Sequence, residues 1–495
     1  MKERVRFAPS PTGPLHIGGL RTALFNYLFA KNKNGIFILR LEDTDRSRYI
    51  KGSDSYIEDA LKWLGINPDE GPTSGGEYGP YKQSERTEIY NYHIKKLIET
   101  NKAYYAFDTN EKLREIREDY KNKSLVFKYD YLTRNSLDNS LSLSEKVIQE
   151  RISKEPYVIR LKVEPGSTVS NDLLRGNVEI NHNILDDKIL LKNDKHPTYH
   201  FANVVDDYLM KITTVIRGEE WLPSLAIHNL IYKAFGWKMP CFIHLPLILK
   251  PKGKGKLSKR DGINGGFPVF PLKWDEELGY KELGFLGSGL LNYLALLGWN
   301  PGNDKEIFNL KELVEKFSVK GLQKGSAKFD FEKAKWTNQQ HLSKMNFYEF
   351  DKIFAKNTAS LKKIYPTKTE EVYNLIKERI KTGEDFEKEI KFLLSVPVSY
   401  NQNVLNKLSK NNLSFIIDKI ESIIEKTGLE NLKEKLMLWG KSEKINFGSI
   451  MQLLRLAIVG ELAGPDIINA SKVLGKSLTL ERLKNIKTYI KNKSL

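Results

Sequence analysis

The first 65 residues alternate between short apolar runs and amphipathic stretches. Residues 4–9 (RVRFAP) read as a short buried strand. The loop Ser10-Pro11-Thr12-Gly13-Pro14-Leu15 follows, rich in turn formers. From about Gly18, Leu20, Ala23, Leu24, Tyr27 and Leu28 recur at helical spacing, and Asn34-Gly35 is placed to cap that helix. Residues 36–42 (IFILRLE) are an apolar strand, and Ser53–Leu64 a second helix stopped by Gly65. Strand, helix, strand, helix at this spacing predicts βαβ units and a parallel sheet. A glycine- and proline-rich segment from about Gly71 to Gly79 marks a boundary. Residues 83–193 then interrupt the alternation with mixed helices and short strands at Tyr157–Val163 and Asn177–Ile180. It resumes with a helix at 200–208, a strand at 212–217, a helix at 223–235 and a strand at 242–249. Lys250–Gly266 reads as a loop dense in Lys and Gly. From about 279 onward the pattern is helical; 371–395 and 409–438 carry apolar residues three and four apart with Lys and Glu between. The pattern predicts one α/β parallel-sheet domain split by an α+β insertion, followed by an all-α C-terminal region.

Composition changes this picture in three ways. At 495 residues the chain needs more than one core, since single cores rarely exceed ~250–300 residues. Its one cysteine, Cys241, excludes an internal disulfide and any multi-cysteine zinc or iron–sulfur site. No apolar run approaches the roughly 20 residues a bilayer requires, and the first residues, MKERVRFAPS, lack a signal peptide's apolar stretch, so the cytoplasm is the expected compartment. The net charge is +17, and more than half of that excess falls in residues 331–495. Such a surface attracts phosphate backbones through counterion release, although a Lys-rich solvated face gives the same count.

The chemistry starts with two loops. Gly13–Gly19 lies between a strand and a helix, the context of a phosphate cradle. It is no Walker A loop, because Gly19 and Leu20 stand where Lys and Ser/Thr are required, and GxGxxG is absent. HExxH is absent too, and the pair His196 and His200 has no third ligand in view. What remains is His16, just before a helix N-terminus, and Lys256-Leu257-Ser258-Lys259-Arg260 after the strand at 242–249. In an open parallel sheet both lie at the C-terminal ends of strands, where ligands bind. A helix N-terminus, an imidazole and two lysines suit a polyphosphate and the charge that develops on departing pyrophosphate.

These residues carry a resemblance. His16-Ile17-Gly18-Gly19 resembles the HIGH signature, and Lys256–Arg260 the KMSKS signature, of class I aminoacyl-tRNA synthetases. Longer strings narrow it: Arg6–Gly13, Leu41–Arg46, Gln83–Arg86, Pro197–Asp207 and Val215–Trp221 resemble the bacterial glutamyl-tRNA synthetase family. Beyond residue 260 the resemblance is one of helical architecture. It implies a Rossmann-type catalytic domain in two halves, 1–82 and 194–250, split by an acceptor-stem-binding insertion at 83–193. A stem-contact region at 251–335 and two helical anticodon-binding subdomains, 336–392 and 393–495, would follow.

By that resemblance, L-glutamate is activated with ATP to glutamyl-adenylate and pyrophosphate, then passed to the terminal adenosine of tRNA(Glu). A non-discriminating form would also charge tRNA(Gln), and a catalytically inactive tRNA-binding paralogue or a small-molecule nucleotidyltransferase are rivals. His16, Gly18, Lys256 and Lys259 are expected at ATP, with Mg²⁺ travelling with the nucleotide, and His16, Lys256 and Lys259 as catalytic. Arg6, Ala8, Ser10, Glu42, Tyr199, Asn203 and Arg217 are expected at glutamate, and Arg379 is a candidate tRNA contact. A carboxylate such as Glu42 suits the substrate ammonium, and Arg6 and Arg217 suit its side-chain carboxylate. Arg6 sits inside an apolar strand, where an unexplained charge is costly. Many bacterial relatives hold zinc in the insertion; here the corresponding stretch reads Tyr104-Tyr105-Ala106-Phe107, so no structural zinc is expected. A monomer without membrane contact completes the expectation.

Overall fold

The computed structural model describes residues 2–409 and 412–493. Two units are formed, one from residues 1–280 and 291–331, the other from 281–290 and 332–495.

The first unit is built on strands β1 (Arg4–Phe7) and β2 (Ile36–Leu39), parallel and joined by helix α1 (Ile17–Asn32). Helix α1 is buried on nearly every side, through Ile17, Leu20, Ala23, Leu24, Phe25, Leu28 and Phe29. That explains its apolar composition all round: it packs the sheet on one flank and Phe317 on the other, with the Phe25 and Phe317 rings 5.7 Å apart. It stops where Asn34 takes a left-handed φ of 50° and Gly35 donates back to the Ala30 carbonyl. A Cβ at Gly35 would lie 2.3 Å from the Glu3 carbonyl oxygen, so only glycine lets β2 start there.

Helix α2 (Ser53–Leu64) follows as expected, and α3 (Thr87–Glu99), β3 (Ala103–Ala106), α4 (Asn110–Asn122) and α5 (Glu145–Lys154) open the interruption. Strands β4 (Val158–Leu161), β5 (Ser167–Asp172), β6 (Gly176–Asn181) and β7 (Ile189–Leu191) complete it. Strands β3, β4 and β7 form an antiparallel sheet of their own. The β5–β6 hairpin does not stay with them. Helix α6 (Tyr199–Leu209), β8 (Thr214–Gly218), α7 (Leu225–Phe235) and β9 (Cys241–Leu245) resume the parallel fold, and β5 pairs with β9 in the order β6-β5-β9-β8. The interruption at 83–193 is therefore not self-contained: one hairpin extends the parallel sheet, docking the last residue of β5, Asp172, beside Phe242. Strand β1 lies against the start of β8, where Thr213 N–H donates to the Arg4 carbonyl at 2.9 Å.

The strand expected at 242–249 is broken by Pro246, which lacks an N–H for the ladder, into β9 and β10 (Ile248–Leu249). The following loop folds more than its Lys/Gly content suggested. Ser258 and Asp261 form a capping box that starts α8 (Lys259–Gly265).

The second unit is helical. Its buried apolar side chains make one continuous cluster from Leu286 to Ile490, running across the junction expected at 392/393. The long periodic stretches are each divided: 371–395 after Ile376, where a 3₁₀ turn at Lys377–Arg379 takes over, and 409–438, of which 410 and 411 lie outside the described residues, at Gly428, which has a φ of 69°. Positive φ at glycine ends a helix that side-chain periodicity alone would continue. No helix among the described residues is long and apolar enough to cross a membrane.

The Tyr104–Phe107 stretch, β3 and the residue after it, is held by its own neighbours. The Tyr104 hydroxyl donates to Asp187 at 2.6 Å, the Tyr105 and Tyr157 rings meet at 5.0 Å, and Arg151 lies 4.1 Å from the Phe107 ring centre. On that packing the purified chain is expected to carry no stoichiometric zinc. Elemental analysis returning one tightly held zinc per chain would contradict this.

Candidate active site

The C-terminal ends of β1, β8 and β9, with the N-termini of α1 and α6, enclose a cavity of about 370 Å³. Arg6, Ala8, Ser10, His16, Gly18, Glu42, Tyr199, Asn203, Arg217 and Lys256 all line it. Of the expected site residues only Lys259 and Arg379 do not. Lys259 lies three residues beyond Lys256, ion-paired with Glu277 at 2.5 Å. Arg379 belongs to the helical unit.

At the floor sits a buried ion network. Arg6 Nε–H donates to Asp207 at 3.0 Å; Arg40 donates to the same carboxylate oxygen at 2.7 Å and to Glu42 Oε1 at 3.0 Å. Asn203 adds a second bond to Glu42 Oε1 at 2.9 Å, while Glu42 Oε2 has no partner among the described residues. Burial works against the charge on both acids. At Asp207 the Arg6 and Arg40 guanidiniums outweigh it and hold the carboxyl below its ordinary range. At Glu42 burial wins and pushes the carboxyl up, so this acid is short of positive charge.

Arg217 is the reverse case. It is 5% exposed, yet every acceptor around it is neutral. Nε–H donates to His244 Nε2 at 3.0 Å, Nη1 to the Tyr199 hydroxyl and His228 Nδ1 at 3.2 Å each, and Nη2 to the Trp221 carbonyl at 3.3 Å. No carboxylate reaches it among the described residues. Burial lowers its pKa, and Arg6 adds to the lowering. One wall of the cavity thus offers Glu42, whose Oε2 is free beside its ion pair with Arg40, and another offers Arg217 without an anion.

The α1 end presents unpaired donors to the cavity. His16 caps the helix by accepting Gly18 N–H at Nδ1, 3.1 Å away, so its proton is on Nε2. That Nε2–H is buried and has no partner. Burial first, then the Lys256 charge, lower the imidazole pKa to about 4. A Cβ at Gly19 would lie 2.9 Å from Leu15 Cδ1, which keeps the helix start open to the cavity. Lys256 reaches the rim through the turn that pairs Leu249 with it, where Glu220 holds its ammonium at 2.7 Å.

Sequence reasoning missed Arg40, Asp207, His244 and Glu220. Arg40 had a visible signal, a charge inside the apolar run IFILRLE, like Arg6 inside RVRFAP. Asp207 and Glu220 lie inside the strings that carry the resemblance, but their partners, Arg6 and Lys256, and the partner of His244, Asp172, stand far off in the chain.

The fold and this cavity define a class I aminoacyl-tRNA synthetase. The family described as tRNA synthetases class I (E and Q), catalytic domain, matches residues 2–336, and the Anticodon binding domain family matches residues 339–487. The chain belongs to that synthetase family. Among curated relatives, the glutamate–tRNA ligase of Christiangramia forsetii is 49% identical, over 97% of this chain and 98% of its own. That of Flavobacterium johnsoniae is 46% identical, over 97% and 98%. A crystal structure of a glutamate tRNA ligase from Elizabethkingia meningosepticum, in complex with its amino acid, superposes with a TM-score of 0.92 at 45% identity, covering 99% of each chain. A glutamate–tRNA synthetase from Elizabethkingia anophelis superposes at 0.89 and 46%, covering 98% and 99%.

The depressed histidines give a pH signature. His16 and His200 are both lowered to about 4 against an ordinary 6.5, chiefly by burial. Below pH 6.5 the unfolded chain takes up protons that the folded chain refuses, so stability falls as pH drops towards 4. The loss is expected at about 2 kcal/mol per group by pH 5. Urea unfolding between pH 7 and 5 checks this, with His200→Gln flattening the curve. A stability independent of pH over that range would count against the assignment.

Proposed function

We propose that the chain charges tRNA(Glu) with L-glutamate in two steps, and the observation that carries the proposal is the Arg217–Glu42 pair of opposite deficits in one cavity. Glutamate supplies the anion that Arg217 lacks and a second cation for Glu42 beside Arg40. Its ammonium meets Glu42, whose Oε2 is available, and its side-chain carboxylate meets Arg217 and Arg6, the latter held by Asp207 through Nε alone. Ala8 and Ser10, at the end of β1, and Tyr199 and Asn203, on the first turns of α6, complete the surround. Aspartate falls one methylene short, and glutamine brings no charge to Arg217.

With the amino acid so placed, its α-carboxylate attacks the α-phosphorus of ATP, the bond to the bridging oxygen breaks, and pyrophosphate leaves. His16 Nε2–H and the α1 N-terminus with Gly18 face the phosphates, and Lys256 and Lys259 meet the charge that develops on the leaving group. Each lysine is first held by an acid, Glu220 or Glu277, which it exchanges for phosphate. Mg²⁺ accompanies the triphosphate as part of the substrate. The terminal ribose hydroxyl of tRNA then attacks the carbonyl carbon of the adenylate, releasing AMP. The anticodon is read in the helical unit, where a second cavity of about 440 Å³ is lined by Arg379, Lys388, Lys391, Pro397, Gly464 and Pro465. Arg379 is anchored there on Glu389 at 2.5 Å. This reading includes a monomer working in the cytoplasm.

Purified protein with ATP and Mg²⁺ is expected to glutamylate tRNA(Glu). Charging of tRNA(Gln) as well identifies a non-discriminating enzyme; tRNA binding with no charging of either overturns the catalytic reading in favour of an inactive paralogue. His16→Ala and Lys256→Ala should each lower the activation kcat about 100-fold or more, with the glutamate KM little changed. A change confined to that KM would misplace both residues.

A further inference from the structure

Arg217 is oriented by a couple that no catalytic step uses. His244, on β9 beside β8, is fully buried, and so is Asp172 at the end of β5. Asp172 Oδ1 accepts the backbone N–H groups of Leu174 and Arg175 at 2.9 and 2.6 Å. Its Oδ2 accepts His244 N–H at 2.9 Å and His244 Nδ1 at 2.8 Å. A carboxylate in that setting only accepts, so the imidazole proton is on Nδ1 and the lone pair on Nε2. That lone pair meets Arg217 Nε–H at 3.0 Å. An acid in the place of His244 would orient the guanidinium too, but would neutralise it.

We propose that Asp172 and His244 are positioning residues for amino-acid recognition: the acid fixes the imidazole tautomer, and the imidazole orients Arg217 without cancelling its charge. The chain thereby keeps a buried cation aimed and unneutralised for the substrate carboxylate. Asp172 comes from the hairpin of the interrupting segment, so the cavity's specificity depends on that hairpin being docked. The proposal rests on the glutamate reading above.

The two ends of the imidazole can be tested separately. In His244→Asn the amide nitrogen takes the place of Nδ1 and keeps the bond to Asp172 but offers nothing to Arg217. In His244→Gln the amide oxygen takes the place of Nε2 and restores the acceptor. Initial rates are measured by tRNA-supported ATP–pyrophosphate exchange, titrating glutamate and ATP in turn, with thermal melting as a fold control. His244→Asn is expected to raise the glutamate KM about 10- to 100-fold, the range for a hydrogen bond to a charged group. The ATP KM and the kcat at saturating glutamate should stay within about threefold, and His244→Gln should recover most of the loss. In an Arg217→Lys background, His244→Asn should add little. An unchanged glutamate KM in folded His244→Asn overturns the proposal. So does a full effect persisting in the Arg217→Lys background, or Gln faring no better than Asn with melting temperature, kcat and both KM values moving together, since each marks packing alone. Wild-type protein that activates no glutamate overturns the functional reading itself, and the proposal falls with it.

Discussion

A buried guanidinium with no counter-ion is the constraint on which the rest of this site depends. Arg217 keeps its charge amid two imidazoles, a phenol and a peptide carbonyl. Burying a charge without an opposite charge is costly, and a partner arriving from outside would offset that cost. Three other buried arginines show the contrast: Arg6 and Arg40 share Asp207, and Arg86 is paired with Asp206 at 2.7 Å. Those charges are matched internally, Arg40 pairing with Glu42 as well. Arg21 and Arg482, buried without a carboxylate, direct their donors to backbone carbonyls. Arg217, with no counter-ion among the described residues, and Glu42, with its Oε2 free, face one cavity, and on the proposed reading they suit an amino acid with an anionic side chain.

The fold exists around that pair of deficits. Strand β1 brings Arg6, the residues after β2 bring Arg40 and Glu42, and α6 brings Asn203 and Asp207. Neighbouring β8 and β9 bring Arg217 and His244 into register, Arg217 opposite His244. The crossover helix α1 delivers its N-terminus and His16 to the same cavity edge. On the proposed reading, phosphate chemistry and side-chain recognition share one end of the parallel sheet, where ligand sites in open α/β sheets lie.

Much of this was legible in the sequence where chemistry is local. The Gly13–Gly19 loop, the Lys256–Arg260 string and charged residues inside apolar strands each mark themselves within a few positions. Of the residues so marked, Arg6, His16, Gly18 and Lys256 line one cavity, and Ala8, Ser10, Glu42, Tyr199, Asn203 and Arg217, expected only from the family resemblance, line it with them. The illegible part is relational. That Asp207 anchors Arg6, that Asp172 sets the tautomer of His244, and that Glu220 holds Lys256 follow only from folding, because each pair spans between 36 and 201 residues. Segment boundaries blurred for a similar reason. Nothing in residues 167–181 announces that their hairpin leaves its own segment for the sheet, since an exposed strand edge is completed by whatever reaches it. Proline at 246 and glycine at 428 cut elements that periodicity alone would run on.

The central claim is that Arg217 reads the substrate's charge. The direct measurement is the preference of wild-type protein for glutamate over glutamine, as kcat/KM ratios from tRNA-supported pyrophosphate exchange, set beside Arg217→Met. Leaving a buried cation unpaired costs about 3–5 kcal/mol, so a preference of about 100-fold or more is predicted for wild type, largely lost in the variant. Comparable use of the two amino acids by wild type, or an undiminished preference in Arg217→Met, would contradict it.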